Sequence, residues 1–446
     1  MQTNDSLDRR DFLKAASLAG AGLWASGALS APAFARTRSA NERVRVAVMG
    51  LHGRGGAHLE SYAKDPNAEI AYVVDVDSQV LARGLSDAER LQGKRPRGAE
   101  DFRRVLEDPN VDALSIAAPD HWHVPAAVLA LKAGKHVYVE KPLSFDPAEG
   151  ELLVRAQEKY GKVMQMGNQQ RSDPPSIEVI QAIHEGLIGR PYYARTWYAN
   201  HRGPIGHGKR TAVPTSLNYD LWQGPAPRVP YFDNRIPYNW HWFYHWGTGE
   251  IANNGTHELD IARWALGLDY PTRATSSGGR YAFDDDWEFT DTQDASFDFD
   301  GKATIIWTGR SCNGFPVEGR GRGTSIHGTG GTVVMDRNGY EVYDEDNKLV
   351  KKRAGEEQVN GLDTRGGDRM TDRHIANFID GVRTGAKLHS PISEGFKSTM
   401  LTHLGNIAQR TGRALKVDPS NGHLLDDPEA MRYWAREYEP GWEPTL

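Results

Sequence analysis

The sequence predicts an α/β protein in two parts: a doubly wound parallel sheet over residues 44–166, then an α+β unit with a mainly antiparallel sheet over 167–446. Three observations support this. Short apolar runs alternate with helical stretches of roughly 10–15 residues. A glycine-rich turn joins the first such run to the first helix. Beyond residue 167 the alternation gives way to β-branched and period-two runs of antiparallel type.

Element by element, Val44-Arg45-Val46-Ala47-Val48-Met49 reads as a buried strand, with a helix starting near Arg54. Strands follow from Ile70 to Asp75, Val111 to Ala117, His136 to Glu140 and Lys162 to Met166. Helices separate them from Ser78 to Leu91, Val124 to Ala133 and 147–160. A helix near 175–186 and a strand over 190–199 lead into a long stretch rich in Pro, Gly and Trp, ending near 248. A helix from Thr256 to Leu266 follows. Strands are then expected around 272–282, 292–299, 303–309, 323–328 and 332–335, and helices over 372–384 and 394–411.

With 446 residues, 39% hydrophobic and 25% charged, the chain is an ordinary globular composition of two-domain length. The net charge of −6 argues against a nucleic-acid ligand. A single cysteine, Cys312, excludes an intrachain disulfide and a cysteine-based metal site. His241 and His245 share an i,i+4 spacing but lack the acid of a metal motif, so no metal site is expected. The 12 Trp and 17 Tyr are a mild hint of sugar binding, although most of them belong in cores.

The N-terminus carries an address. Arg9-Arg10 followed by Phe12-Leu13-Lys14 fits a twin-arginine signal, with Asp8 where Ser or Thr is commoner. A weakly apolar Ala15–Ala31 run and the small-x-small triplet Ala33-Phe34-Ala35 complete it, so residues 1–35 are expected to be cleaved and 36–43 to form a linker. Removing 1–35 takes three residues of each charge sign and leaves the net charge unchanged. The expected location is periplasmic or otherwise exported, through the twin-arginine machinery, with no permanent membrane anchor.

The glycine turn is Gly50-Leu51-His52-Gly53-Arg54-Gly55. Set against G-x-G-x-x-G, Gly50 supplies the tight turn and Gly55 the close packing that aims a helix N-terminus at a pyrophosphate. His52 replaces the second glycine, and its side chain either forces the backbone away or swings outward, with Gly53 as a source of the lost slack. Asp75, 20 residues after Gly55 at the end of the second strand, is placed as a ribose-binding carboxylate. No cation follows it for a 2′-phosphate, which favours NAD over NADP. Pro119, His123, Glu140 and Lys141 stand at later strand ends, where such a sheet presents residues to its ligand.

Together, Gly50 to Gly55, Pro119 with His123, and Glu140-Lys141-Pro142 resemble the glucose-fructose oxidoreductase, inositol dehydrogenase and rhizopine-catabolism (Gfo/Idh/MocA) family. The likeness continues through Gly167 to Pro174, and through Gly247-Thr248-Gly249 with His257-Glu258-Leu259-Asp260. It implies a Rossmann domain joined to an open-faced sheet, with substrate bound between them, and a homo-oligomer. It further implies that Lys141 and His257 act at the carbinol being oxidised, and that the family's Asp four residues before that histidine is Asn253 here. A neutral Asn can position the imidazole or bind substrate, but leaves it a less basic group. Arg171 and Trp222 are further candidates for substrate contact, with His201, Arg202 and His374 behind them.

These readings converge on an exported NAD(P)-dependent oxidoreductase acting on a sugar, polyol or sugar derivative. Export of a folded enzyme away from the cytoplasmic cofactor pool requires a tightly held cofactor that is regenerated in place. A redox-neutral alternative meets the same requirement: an NAD-dependent glycoside hydrolase that oxidises a sugar at C3, eliminates the aglycone, adds water and reduces the sugar again.

Overall fold

In the computed structural model, which describes residues 43–358 and 367–446, the first strand shows how the N-terminal layers form. In β1 (Val44–Met49), Val44, Val46 and Val48 enter one apolar cluster while Ala47 and Met49 enter another. A strand buried on both faces belongs inside a parallel sheet covered by helices. The partners are β2 (Ala68–Val74), β3 (Arg97–Ala99), β4 (Ala113–Ile116), β5 (His136–Val139) and β6 (Met164–Met166), in the order β3-β2-β1-β4-β5-β6. All five pairings are parallel. The order reverses between β1 and β4, which is where a ligand crevice opens in such a sheet.

The helices are α1 (Arg54–Lys64), α2 (Ser78–Gln92), α3 (Arg103–Leu106), α4 (His123–Lys132) and α5 (Pro147–Tyr160). Local chemistry sets several ends. Asp77 accepts from the Gln79 and Val80 amides to cap α2, and Asp146 accepts from Glu149 N ahead of a proline in the first turn of α5. Helix α1 starts bare by comparison, with Gly53 at its cap position and no side-chain capping bond, as does α4 after Trp122.

The second layer contains α6 (Pro174–His184), β7 (Pro191–Ala199), α7 (Tyr219–Gln223) and α8 (Thr256–Leu266). It continues with β8 (Arg273–Gly279), β9 (Thr292–Phe299), β10 (Ala303–Arg310), β11 (Arg322–Gly328), β12 (Gly331–Asp336), β13 (Gly339–Tyr343) and β14 (Leu349–Ala354). The nine-stranded sheet runs β14-β13-β12-β11-β7-β10-β9-β8-β15, where β15 is Leu415–Lys416. Its β7–β10 pair is parallel and the others antiparallel. On β9 the residues Gln293, Ala295, Phe297 and Phe299 are buried and alternate with more exposed ones, so one face is covered and the other open.

The chain leaves the parallel sheet after β6 and later returns to it. In α9 (Arg369–Thr384), Ile375, Phe378 and Ile379 join the cluster of Val44, Val46, Val48 and Tyr62, completing the N-terminal layer. Helix α10 (Ile392–Thr411) lies against the second sheet, and the C-terminal Arg436 then binds Glu149 and the Asp146 carboxylate back on α5. No described helix is long and apolar enough to cross a membrane. The expected twin-arginine signal, its cleavage at Ala35 and the linker lie outside the described residues.

Candidate active site

A cleft of about 530 Å³ runs from the glycine loop, past the ends of β2, β4 and β5, to the start of α8. At Gly50 the backbone has φ +84°, and an added Cβ would sit 2.7 Å from the Ala117 carbonyl and Ala118 nitrogen. A Cβ on Gly55 would run into the Gly50 carbonyl. Both positions therefore need glycine, one for the turn and one for the packing of α1 on the sheet. Gly53 differs: a Cβ there meets nothing within 4 Å, so the loop leaves room on its cleft side. His52 is exposed at the rim and does not fill that room.

Asp75 accepts hydrogen bonds from Leu51 N (2.8 Å) and Asp77 N (2.9 Å), tying the second strand to the glycine loop. Burial pushes its pKa up, against those two bonds. Each carboxylate oxygen has a second lone pair for a ribose hydroxyl. Asp77, Glu100 and Asp101 line the same end, with Asp101 paired to Arg103. The open loop, the α1 N-terminus free of a side-chain cap, and the carboxylate at the ribose position fit a dinucleotide.

At the other end, Glu140 is the hub. Its Oε1 accepts from Arg54 Nε (3.0 Å), His58 Nε2 (2.9 Å) and Gln169 Nε2 (2.8 Å). Arg54 and His58 hold its pKa far below the carboxylate range despite burial. Gly167 is glycine because the Glu140 carboxylate occupies the place of a Cβ. Thus Glu140 anchors the first turn of α1, and the adjacent Lys141 is left to face the cleft.

Lys141 Nζ donates to the Asn253 carbonyl (2.6 Å) and to Asn253 Oδ1 (3.1 Å). Asn253 lies in a π-helical turn, Ile251–Gly255, that leads into α8; such a turn departs from the α ladder and turns polar groups toward a site. Burial brings the Lys141 pKa down to about 8, with Glu140 and Asp120 opposing and Arg322 and Arg54 assisting. Asp120 is 3% exposed, lines the cleft, and takes the Thr248 hydroxyl at 2.5 Å. Burial pushes its carboxyl pKa up.

His257 lines the same cleft in the first turn of α8. Its Nδ1 is buried without a partner, and burial with Arg337, Lys141, Arg322 and Arg54 nearby drives its pKa well below the imidazole range. The side chain of Asn253 engages Lys141, and at 3.4 Å Glu250, rather than this imidazole. Burial therefore favours the neutral form of His257, and it brings the Lys141 ammonium closer to neutrality.

Other expected residues fall in and out of this group. Pro119 and His123 both line the cleft, and His123 is braced there with Nδ1 2.6 Å from the Pro142 carbonyl and Nε2 2.9 Å from that of Ala118. Trp222 lines the cleft, and its carbonyl accepts from His121 Nε2 and Trp122 Nε1. Arg171 corrects the expectation of a substrate contact. It is 5% exposed and forms a two-pronged ion pair with Asp260 at 2.7 and 2.8 Å, so its guanidinium is committed to α8. His374 is likewise internal, bonded to the Met166 carbonyl and Ser172.

His241 and His245 each bond a backbone carbonyl, and no group of three or more His, Cys, Asp or Glu able to hold a metal occurs among the described residues. Three participants were missed from the sequence: Asp120, Thr248 and Glu250. Glu250 receives Arg202 Nε at 2.8 Å, Asn254 Nδ2 at 2.5 Å and Ser311 Oγ at 3.0 Å, and so fixes the π turn. Their only signal was position, on either side of Gly249 and just after Pro119.

Comparison with known proteins places this arrangement. The family model for the NAD-binding Rossmann fold of the Gfo/Idh/MocA oxidoreductases matches residues 44–168, and that for their C-terminal alpha/beta domain matches 208–417. A glycosyl hydrolase family 109 protein of Saccharopolyspora erythraea is 30% identical over 257 residues, 52% of this chain and 56% of that protein. An inositol 2-dehydrogenase of Rubrobacter xylanophilus is 34% identical over 168 residues, 36% of this chain and 46% of that protein. The chain thus spans about half the length of these curated relatives. Levoglucosan dehydrogenase, solved with NADH and levoglucosan, superposes with a TM-score of 0.64 at 19% identity, covering 84% of this chain and 99% of that one, which establishes the shared fold. The chain belongs to the Gfo/Idh/MocA family of NAD-binding oxidoreductases.

Proposed function

We propose that this protein is an exported oxidoreductase that moves hydride between a tightly held NAD and a sugar, polyol or sugar derivative. One observation carries the reading: a buried amine, Lys141, is held by Asn253 in the same cleft as the glycine loop, with a neutral histidine, His257, beside it. When bound, NAD supplies the hydride acceptor for a carbinol carbon. Gly50, Gly53, Gly55 and the start of α1 would hold its pyrophosphate and Asp75 its ribose. Lys141 takes the proton of the reacting hydroxyl and returns it in the reverse direction, for which a pKa of about 8 is suited. His257 orients that hydroxyl by hydrogen bonding. Tyr238, Trp240 and Trp222 give the cleft aromatic faces of the kind that pack on sugar C–H surfaces.

Retention of the cofactor has its own support. The segment carrying Pro214, Leu217 and Trp222 lines the crevice, and is fastened to the Rossmann layer by Ser78 N to Ser216 O (2.8 Å) and Asn218 N to Val76 O (2.9 Å). A cover of this kind slows exchange, which an enzyme exported by its Arg9-Arg10 signal would require. The net reaction is then redox-neutral over a cycle, with one sugar oxidised and another reduced. The match to a glycosyl hydrolase family 109 protein favours a second reading, glycoside hydrolysis through a transient 3-keto sugar in the same cleft.

The test starts from protein recovered from the periplasm. It is denatured and the released NAD(H) and NADP(H) are quantified, while intact protein is incubated with sugar pairs and with aryl glycosides. Paired alcohol and acid products support the oxidoreductase, and aglycone release without a second sugar supports the hydrolase. Recovery of no dinucleotide refutes a retained cofactor. Lys141→Ala should abolish either reaction and keep the dinucleotide content. Replacing both Arg9 and Arg10 by Lys should hold the protein in the cytoplasm.

A further inference from the structure

The aromatic stretch from Tyr238 to Trp246, just before Gly247, holds a histidine that the scheme above does not use. His241 lines the cleft together with Lys141, Asn253 and His257. Its position is fixed three ways. The ring is stacked on Trp240 with centroids 3.6 Å apart at 20°. Nδ1 lies 2.6 Å from the Tyr238 carbonyl. The His241 backbone also rests on Gly247, where a Cβ would collide with the His241 carbonyl group. Gly247 is followed by Thr248, whose hydroxyl is bound by Asp120, so the ring is held in register with the strand ends that surround Lys141.

That bond settles the tautomer. A carbonyl oxygen can only accept, so the proton is on Nδ1, and a neutral imidazole then carries a lone pair on Nε2. Neutrality follows from the surroundings: burial, with Lys141, Arg202 and His123 nearby, brings the His241 pKa down to about 3 despite the Tyr238 carbonyl. Lys141 in its charged form is a donor, and a sugar or polyol brings several hydroxyl donors into the cleft. An acceptor held rigidly on an aromatic wall can therefore select one of them.

We propose that His241 is a substrate-binding residue whose Nε2 accepts a hydrogen bond from a sugar or polyol hydroxyl other than the one being oxidised, and so sets which hydroxyl pattern is accepted. This rests on the sugar or polyol reading of the cleft. The two ring nitrogens can be separated by substitution. In His241→Asn the amide nitrogen can keep the Nδ1 bond to Tyr238 but nothing stands at Nε2. In His241→Gln the amide reaches the Nε2 position and its oxygen can accept.

Full-length protein with its own dinucleotide is tested with glucose, myo-inositol and levoglucosan, and then with the monodeoxy analogues of whichever is oxidised fastest. Dinucleotide content is measured for each variant. In wild type one deoxy position should lower kcat/KM on the order of 10- to 100-fold, the range for a lost hydrogen bond in a closed site. His241→Asn should lose a similar factor on the parent sugar and show no further penalty for that analogue, whereas His241→Gln should keep most of both. If Asn retains the wild-type pattern of penalties, or if Asn outperforms Gln, the histidine serves the loop alone and the inference is wrong. If NAD-loaded wild type oxidises none of the three sugars, the parent reading fails and takes this one with it.

Discussion

Substituting Asn253 by Asp tests which group moves the proton. Asn253 Oδ1 is 3.1 Å from Lys141 Nζ and the residue is 7% exposed, so the variant puts a carboxylate beside a buried amine. An opposite charge this close raises a lysine pKa by about 1–3 units. Glu250 Oε1, 3.4 Å from Asn253 Nδ2, is a like charge for the new carboxylate and sets the shift at the low end. From a starting value of about 8, the midpoint should move to roughly 9–10. The neutral amine at pH 7 falls from roughly one in ten to between one in a hundred and one in a thousand. Oxidation at neutral pH should therefore slow by about 10- to 100-fold, while at high pH the variant recovers. Single-turnover reduction of the bound dinucleotide, followed by its absorbance over pH of about 6 to 10, reads the midpoint directly. An unmoved midpoint would remove Lys141 from the proton-transfer role. A faster variant at pH 7 would instead show that a carboxylate at 253 activates His257, as the family resemblance implies for an Asp there.

Arg171→Ala should leave KM for any sugar unchanged and destabilise the fold, because Asp260, 2% exposed at its side chain, would lose its cation. Breaking a buried pair from one side costs about 3–5 kcal/mol, readable as a lowered denaturant midpoint; a raised KM at unchanged stability would restore the substrate role. Gly55→Ala drives a methyl into the Gly50 carbonyl, so the protein should be purified with little dinucleotide, and overpacking of this kind adds about 1–3 kcal/mol of destabilisation. A full complement of dinucleotide in that variant would show that the loop does not carry the pyrophosphate.

Much of the fold was legible because burial leaves a periodic trace. Helix α8 begins at Thr256 and ends at Leu266 as its pattern predicts, and the elements predicted between residues 44 and 166 begin and end within two residues or so of their bounds, whereas the short β3 and α3 were not predicted. What was missed has a physical cause. Strand β14 carries Leu349, Val350, Lys351 and Lys352 all exposed, so no alternation marks it; it is an edge held by backbone pairing to β13. The return of α9 to the first layer was invisible because an amphipathic face records that it is buried, not against which sheet. Only the assembled cluster of Phe378 with Val46 and Tyr138 shows the choice.

The site divides along the same line. Gly50, Gly55 and Asp75 were legible because their work is local, confined to one strand-turn-helix unit and the strand beside it. Lys141 was legible as a cation placed to share in proton transfer, but what tunes its acidity was not. Its amine is set by Asn253, 112 residues away, and by a balance in which burial, Arg322 and Arg54 oppose Glu140 and Asp120. The value near 8 is what remains after these contributions offset one another. A remainder of that kind has no spacing and no motif. The same holds for Arg171, which looks like a free cation until Asp260, 89 residues on, closes around it. A charged residue at a domain junction therefore says that a partner exists, while only the fold decides whether that partner is the substrate or the protein itself.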